Sequence, residues 1–194
     1  GLGVIKAGDG FVSLGTSGVI FVAADQHYAN PAQAVHSFCH ALPGRWHQMA
    51  VTLSAASSLS WFASITSISE AQLAQEAEQH EAGDVLFAPY LSGERTPWNA
   101  PHVRGAFFGL SSDSQRGHLA RAVLEGVAFS LADGYRALQQ AGCAPAQMIA
   151  TGGGARSHFW LQLIADLTQC RIIVPTYADV GAAFGAARLA RLAI

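Results

Sequence analysis

The residues best suited to chemistry in this sequence are small and uncharged. Between Phe11 and Ala24, two runs of strand-forming residues flank the tetrapeptide Gly15-Thr16-Ser17-Gly18, and the stretch carries no charge. A plain hairpin needs only Asn-Gly or Asp-Gly at its turn. Here the backbone N–H groups and the Thr16 hydroxyl could instead surround the oxygens of a phosphate, with Mg²⁺ carrying the neutralising charge. A simple tight hairpin is the alternative explanation.

A second glycine cluster, Gly152-Gly153-Gly154, lies between a predicted strand and a predicted helix whose N-cap is Ser157. Three glycines allow the backbone to pass close to a flat or charged ligand. Ligands of open α/β sheets bind beyond the carboxyl ends of the strands, where a helix N-terminus offers free N–H groups. The cluster therefore predicts a second ligand-binding corner, although a loop that only needs positive φ angles would also explain it.

Several familiar site patterns are missing from the sequence. It contains no G-x-x-x-x-G-K-[ST] loop and no G-x-G-x-x-G between a strand and a helix. The stretch GTSGV lacks the last glycine of a serine-hydrolase nucleophile elbow. P-loop proteins and serine hydrolases are therefore excluded, and a dehydrogenase would rest on the triple glycine alone.

The histidines do not make a metal site. His36 and His40 are four residues apart, with Cys39 between them and His47 beyond. On a helix such a pair could bind zinc. This segment alternates like a strand, in which residues four apart are separated by about 13 Å. We therefore predict no metal site and assign these histidines to packing or to the surface.

The segment from Leu91 to Gly109 is rich in Pro, Gly and Arg, and loops of this length are usually functional or disordered. Glu94 and Glu125, in or after this segment, could each act as a base. Because Arg95 and Arg104 lie close by in the sequence, an internal salt-bridge network is the preferred interpretation.

The composition limits the class of protein. Of 194 residues, 51% are hydrophobic and 12% are charged, against about a quarter charged in a typical domain. This predicts an ample core and a surface partly covered by another domain. The net charge of −2 comes without a basic stripe, so nucleic acid is not an expected partner.

The composition also indicates the cellular compartment. Three cysteines, Cys39, Cys143 and Cys170, form no C-x-x-C pair, which indicates a reduced cytoplasmic compartment. No uniformly apolar run reaches the about 20 residues that a bilayer requires, so no membrane association is expected. The chain does not begin with Met and is expected to be a fragment.

Hydrophobic periodicity predicts the elements that would position the two clusters. Strands are predicted at 11–15, 18–23, 34–42, 46–51, 84–89, 148–151 and 171–175. Helices are predicted from 52 onward and at 70–80, 115–140, 157–169 and 180–192. Along the long helix, Gly126, Ser130 and Gly134 form a face that another backbone can approach closely. Antiparallel strands followed by β-α-β-α units predict a single α/β domain with a mixed sheet.

The segment from Gly105 to Glu125, GAFFGLSSDSQRGHLARAVLE, resembles the second signature of the FGGY carbohydrate kinases. The residues that match are Gly105, Phe107, Gly109, Leu110, His118, Leu119, Ala122, Val123, Leu124 and Glu125. Three other segments resemble further family motifs. They are PYLSGERTP at 89–97, TGGGARSHFWLQLIAD at 151–166 and VGAAFGAARLA at 180–190. The first has the form found in the xylulose-phosphorylating members. This sequence departs from the family at Ala100, where an acidic or polar residue is frequent, and at Val180, where many members carry an acid.

The resemblance implies an actin-like ATPase (ribonuclease H-like) fold, with residues 1–194 as the C-terminal nucleotide-binding domain of an FGGY sugar kinase. It implies ATP with Mg²⁺ as cofactors and a small sugar as substrate, D-xylulose being phosphorylated at its 5-hydroxyl. Residues implied to contact phosphates are Gly15, Thr16 and Ser17. Residues implied to border the adenosine are Gly152, Gly153, Gly154, Ser157, Ala56 and Ser60.

The resemblance also implies parts that this chain does not contain. In the family, the general base is an aspartate upstream of the position of Gly1, and an N-terminal domain supplies most sugar contacts. The family's C-terminal tail is also expected beyond Ile194. The chain alone is therefore expected to be inactive, and whether it forms a homodimer is left open.

Two alternatives stay open from the sequence. One is another FGGY kinase, acting on gluconate, ribulose, fuculose or glycerol. The other is a non-catalytic actin-like module that holds a nucleotide without chemistry. The sparse charge counts against the second, because a free-standing module should solvate its surface better.

Overall fold

The computed structural model describes residues 2–81, 83–176 and 181–192. Its strands are β1 (Asp9–Leu14), β2 (Gly18–Ala24), β3 (His36–Cys39), β4 (Trp46–Thr52), β5 (Leu86–Ala88), β6 (Ala106–Phe108), β7 (Gln147–Thr151) and β8 (Arg171–Ile173). Its helices are α1 (Ala56–Thr66), α2 (Glu70–Gln79), α3 (Arg116–Gln140), α4 (His158–Thr168) and α5 (Gly181–Leu192). None of the helices in these ranges is both long enough and apolar enough to span a bilayer.

The main sheet has the strand order β3-β4-β2-β1-β7-β8. The first four strands pair antiparallel, and β7 and β8 then add in parallel to β1. Helix α4 connects β7 to β8, as a parallel pair requires. This arrangement confirms the predicted mixed sheet, in which antiparallel strands are followed by β-α-β-α units.

Two predicted elements differ from the observed ones. The strand predicted at 34–42 is only His36–Cys39, because a 3₁₀ turn at Pro31–Gln33 precedes it and Ala34 has a left-handed φ of 53°. The segment expected to be irregular contains β6, which pairs with β5 and places the Phe107 ring against that of Phe87, with ring centroids 4.6 Å apart and the planes tilted by 40°. For the last helix, Val180 lies outside the described residues.

The core lies between the main sheet and α3. Alternate residues of β1 and β2 are buried, as expected for strands with one face on the core. The predicted apolar face of α3 is confirmed: Val123, Val127, Leu131 and Tyr135 are buried and Leu119 is half-buried. Residues at steps of four share one face of a helix, so α3 packs along its whole length.

The small-residue face of α3 is the place where backbones meet. A Cβ atom placed on Gly126 would lie 2.2 Å from the carbonyl oxygen of Phe87 in β5. At Gly134 it would lie 3.0 Å from the Cβ of Ala50 in β4. The predicted close approach is therefore confirmed, and only glycine allows α3 to sit this near to β5.

Helix α4 is fixed to α3 by one buried tryptophan. The Trp160 side chain is fully buried, and its indole N–H donates to the carbonyl oxygen of Leu124 at 2.9 Å. A buried indole N–H needs such a partner. The start of α4, which follows the triple glycine, is therefore held in register with α3.

We expect Gly126→Ala to lower the free energy of unfolding by about 2 kcal/mol, the usual cost of overpacking. The clash with Phe87 should outweigh the gain of about 1 kcal/mol in helix propensity. Gly134→Ala is the matched control on the same face and should cost less, because its nearest contact is a side-chain methyl group. Urea denaturation of both variants measures the difference, and equal costs would contradict the role given to Phe87.

Candidate functional site

The two glycine clusters come together at one edge of the sheet. β1 and β7 are parallel neighbours, with Ser13 opposite Thr151, so the segments that follow them leave the sheet side by side. A Cβ atom placed on Gly152 would lie 2.7 Å from the Leu14 carbonyl oxygen and 3.0 Å from the Gly15 nitrogen. The two predicted corners are therefore one site at the carboxyl ends of adjacent strands, where open α/β sheets bind ligands.

The turn at 15–17, here called the hairpin tip, is held by the start of α1. The Ala56 N–H donates to the Gly15 carbonyl at 2.8 Å, and the Ala55 N–H donates to the Thr16 carbonyl at 3.0 Å. The Ser57 hydroxyl donates to the same Thr16 oxygen at 2.6 Å. Helix α1 has no side-chain cap of its own, so the hairpin tip satisfies N–H groups that would otherwise lack partners.

The contact with α1 also determines the direction in which the N–H groups of the hairpin tip point. In a planar trans peptide the C=O and the following N–H point in opposite directions. Because the Gly15 and Thr16 carbonyls face α1, the N–H groups of Thr16 and Ser17 face away from it. Within the described part of the chain, these N–H groups and the two hydroxyls have no hydrogen-bond partner. They form a set of donors available to an anion.

The three consecutive glycines have different roles. Gly152 has a φ of 91° and lies against the backbone of Leu14, so this position requires glycine for two reasons. Gly154 is packed, since a Cβ there would lie 2.9 Å from the Leu14 Cβ and 3.1 Å from the Trp160 ring. Gly153 is exposed, with no atom within 4 Å of an added Cβ. Only Gly153 therefore leaves open space beside the backbone.

Ser157 is the N-cap of α4, as the sequence predicted. Its side-chain oxygen accepts a hydrogen bond from the Trp160 N–H at 3.2 Å. This bond commits Ser157 to the helix start. The turn from Gly153 to Arg156 is a short 3₁₀ segment that carries the chain from the glycine corner to this cap.

A cleft of about 630 Å³ lies beside the glycine corner, between α1, α2 and the start of α4. Four of the predicted residues line it: Ala56, Gly153, Gly154 and Ser157. Gly15, Thr16, Ser17 and Gly152 do not line the cleft, although Gly15 and Thr16 are bonded to the start of α1 and Gly152 lies against Leu14 and Gly15. Ser60 is exposed and is not in the lining, but its hydroxyl donates to the Glu70 carboxylate at 2.6 Å, and Glu70 does line the cleft.

The wall formed by α2 was missed from the sequence, which predicted only an exposed helix. Its cleft-lining residues are Glu70, Ala71, Ala74, Gln75 and Glu78. The signal was present, because the wall residues recur at steps of four while Leu73 and Ala77 on another face are buried. Small side chains at Ala71 and Ala74 leave room for a flat group against the helix.

Helix α2 is held to α3 by a bidentate ion pair. The Arg116 guanidinium donates to the Glu76 carboxylate through Nε at 2.8 Å and through Nη2 at 2.7 Å. These hydrogen bonds from Arg116 hold the pKa of Glu76 below its usual value. Ser69 caps the helix by accepting from the Gln72 N–H. The position of the cleft wall therefore depends partly on one surface pair.

The predicted salt-bridge network around Glu94 is wrong. The Glu94 side chain is buried at 2% exposure and accepts four hydrogen bonds, all from uncharged groups. Arg104 donates instead to the carbonyl oxygens of Pro101 and Val103, and Glu125 pairs with Arg121 one turn before it on α3. A buried carboxylate needs hydrogen bonds rather than a cation, and neutral donors supply them here.

The histidines of β3 and β4 have packing roles. His40 is fixed at both ring nitrogens, since Nδ1 accepts from the Leu42 N–H at 3.1 Å and Nε2 lies 3.2 Å from the Val4 carbonyl. Burial lowers the pKa of His47, and His40 lowers it further. Across the described ranges, no three or more His, Cys, Asp or Glu side chains are grouped in a way that could hold a metal ion.

Residues 10–194 match the model of the FGGY family of carbohydrate kinases, C-terminal domain. This chain belongs to the FGGY family. The xylulose kinase of Escherichia coli K12 is 49% identical over the whole chain, and that of Klebsiella pneumoniae is 46% identical. A crystal structure of a xyloylose kinase from Brucella ovis superimposes on 97% of the chain with a TM-score of 0.92 and 50% identity.

This FGGY chain is shorter than the proteins it resembles. It spans 40% and 41% of the length of the two curated relatives and 39% of the Brucella ovis chain. The similarity to that structure, together with the strand order of the sheet, confirms the actin-like ATPase fold that the sequence motifs implied.

The glycine corner makes a prediction about stability. Gly152→Ala places a side chain at a left-handed φ and against the Leu14 backbone, so we expect it to lower the free energy of unfolding by at least about 1–2 kcal/mol. Gly153→Ala is the matched control one residue away and should change stability little, because its Cβ enters open space. Thermal denaturation compares the two variants, and a similar loss in both would refute the separate roles.

The Glu76–Arg116 pair makes a prediction about pH. A folded-state pKa below the unfolded value means that the pair stabilises the fold above the ordinary carboxyl pKa and is lost as the pH falls through the folded pKa. We expect Arg116→Gln to lower the urea midpoint at about pH 7, and this difference from the wild type should shrink steadily as the pH falls below the ordinary glutamate pKa of about 4.3. Arg136→Gln, which breaks only the pair with Asp133 on the same helix, is the control and should have less effect. A gap that persists in acid would rule out this origin.

Proposed function

We propose that this chain is the nucleotide-binding domain of an ATP-dependent sugar kinase that forms D-xylulose 5-phosphate from D-xylulose. The observation that carries the proposal is the meeting of the hairpin tip and the triple glycine beside the cleft. The choice of D-xylulose rests on similarity to xylulose kinases, at 49% identity for the Escherichia coli protein. Residues 1–194 would then be the C-terminal domain of the kinase.

In this proposal the hairpin tip holds the β- and γ-phosphates. The N–H groups of Thr16 and Ser17 and the Thr16 hydroxyl donate to phosphate oxygens, while α1 keeps the carbonyls turned away from them. A divalent ion, Mg²⁺ in the proposal, would neutralise phosphate charge when bound. The hairpin tip carries no carboxylate. The carboxylate that commonly joins phosphates and water around Mg²⁺ would therefore come from elsewhere in the polypeptide.

The adenosine is proposed to lie in the cleft. A volume of about 630 Å³ is within the range of small-ligand sites, so a nucleoside can be accommodated. Gly153, Gly154 and Ser157 would form one side with Gly152 behind them, and Ala56 would form another. Ser60 would act through its bond to Glu70, which keeps that carboxylate at the α2 wall.

The sugar and its general base are proposed to come from chain outside these residues. Phosphoryl transfer to a hydroxyl needs a positioned carboxylate to accept the proton and a closed site that excludes water. The family resemblance suggests an aspartate upstream of Gly1 and an N-terminal domain that covers the sugar. The 194 residues alone should then give no sugar phosphate when mixed with ATP, Mg²⁺ and D-xylulose.

The proposal is tested by two substitutions in the complete polypeptide. Thr16→Val removes a donor to phosphate, and Gly153→Leu fills the open space at the glycine corner. Thr16→Val should raise the KM for MgATP about tenfold, the equivalent of one charge-assisted hydrogen bond, and Gly153→Leu should raise it because the added side chain obstructs the nucleoside. Both should leave the KM for D-xylulose unchanged. Initial-rate kinetics with both substrates varied gives these constants.

Gly83→Leu is the matched control for the glycine substitution, because its Cβ would meet only His118 at 3.8 Å. It should leave both KM values unchanged. An unaltered KM for MgATP in Thr16→Val and Gly153→Leu would overturn the assignment of the nucleotide site. A panel of sugars tests the substrate separately, and faster turnover of gluconate, ribulose or glycerol would replace D-xylulose in the proposal.

A further inference from the structure

We propose that Glu94 is a positioning residue for the hairpin tip: its buried carboxylate fixes the turn between β4 and α1, and α1 in turn fixes the donors of the tip. This goes beyond the glycine-rich motifs, because Glu94 lies in the segment 89–105 and lines neither the glycine corner nor the cleft. The inference rests on the proposed function, in which the hairpin tip binds phosphate.

The carboxylate of Glu94 is fully used. One oxygen, Oε2, accepts from the Thr52 hydroxyl at 2.7 Å and from the Ser130 hydroxyl at 3.0 Å. The other, Oε1, accepts from the Leu53 N–H at 3.0 Å and from the Arg95 N–H at 2.7 Å. A carboxylate accepts and does not donate, so it can accept from all four groups. The Ser130 hydroxyl also lies 3.1 Å from the Thr52 Oγ1, which is its other acceptor. These bonds are strong because they are charge-assisted and shielded from water.

Two of the four donors belong to the turn that leads into α1. Thr52 is the last residue of β4 and Leu53 follows it. Two residues further on, the N–H groups of Ala55 and Ala56 hold the carbonyls of the hairpin tip. The path from the Glu94 carboxylate to the phosphate-facing donors therefore runs through one short, bonded stretch of backbone.

Thr52 also contacts the other end of the hairpin. It is the register partner of Gly18, the first residue of β2, and a Cβ placed on Gly18 would lie 2.5 Å from the Thr52 Cγ2. A shift of Thr52 would therefore reach the hairpin tip both through α1 and through β2. Such displacements are costly to phosphate binding, because catalytic geometry tolerates little misplacement.

The loop that carries Glu94 has a second anchor, which is bonded to β4 and not to the turn before α1. The Thr96 hydroxyl accepts from the Val51 N–H at 3.1 Å and donates to the Ala34 carbonyl at 3.0 Å, and Thr96 is 1% exposed. Thr96 and Glu94 thus fasten the same loop to the end of β4. Only Glu94 is bonded to the turn before α1, which provides a matched control within two residues.

The test uses Glu94→Gln in the complete polypeptide. Glutamine keeps the size of the side chain but replaces one acceptor oxygen by an NH₂ donor, so it cannot accept from all four groups. We expect the affinity for MgATP to fall about tenfold, the usual effect of losing a hydrogen bond to a charged group, and the affinity for AMP to stay unchanged. AMP lacks the β- and γ-phosphates, so the ATP-to-AMP affinity ratio reports on contacts with those phosphates, which the proposed function assigns to the hairpin tip.

Thr96→Val is the control for general loosening of the loop. It should lower the melting temperature and leave the ATP-to-AMP ratio at the wild-type value. Equal changes of the ratio in Glu94→Gln and Thr96→Val would overturn the positioning role, as would an unchanged ratio in Glu94→Gln. If Glu94→Gln does not fold, Ser130→Ala removes a single donor, and a smaller fall in the ratio supports the proposal while no fall overturns it. A wild-type protein that does not bind MgATP would instead refute the proposed function.

Discussion

The structure of the site depends on a backbone contact between the hairpin tip and the first turn of α1. Helix starts normally use a Ser, Thr, Asp or Asn side chain to satisfy their N–H groups. Here Ala55 is the N-cap residue and offers no such group. Carbonyls of the hairpin tip take its place, so the helix start and the hairpin cannot be arranged independently. The hydrogen bonds from the start of α1 to the Gly15 and Thr16 carbonyls stabilise α1. They also turn the N–H groups of Thr16 and Ser17 away from α1.

Close backbone approach is the second physical theme, and it explains where the small residues lie. Gly152 lets the end of β7 lie against the end of β1, and Gly126 lets α3 lie against β5. Larger side chains at either point would separate elements that now touch. The low proportion of charged residues is consistent with such packing. Close backbone contacts are made by small and apolar residues, which carry no charge.

The fold was predictable from the sequence because its signals are local and repeated. The apolar face of α3 repeats over several turns, and the strand-helix alternation after it identifies parallel pairing. Ser157 was predicted as a cap because serine before an apolar helical run has few other roles. Each glycine cluster is visible in the sequence by itself. Spacing along the chain does not show that the two adjoin, since this depends on β1 and β7 being neighbours in the sheet.

The features that were missed depend on tertiary partners. Proximity in the sequence favoured arginine partners for Glu94, whereas its carboxylate binds Thr52 and Ser130, which are distant along the chain. Strand β6 was hidden in a segment rich in Pro and Gly because three residues carry little periodicity. The α2 wall was predicted only as a surface helix, since its step-of-four pattern marks an unburied face but does not tell whether that face meets water or a cleft.

The neighbouring positions of β1 and β7 have a consequence for folding. These paired strands are far apart in the sequence, since β1 precedes β2, β4 and the whole of α3, and β7 follows them. Closing such a long loop costs conformational entropy before the β1–β7 hydrogen bonds and packing can stabilise the chain. Contacts of this kind therefore form late in folding. A growing chain on the ribosome would therefore bring the two glycine clusters together only after β7 had emerged, and no short peptide cut from either end could reproduce their contact.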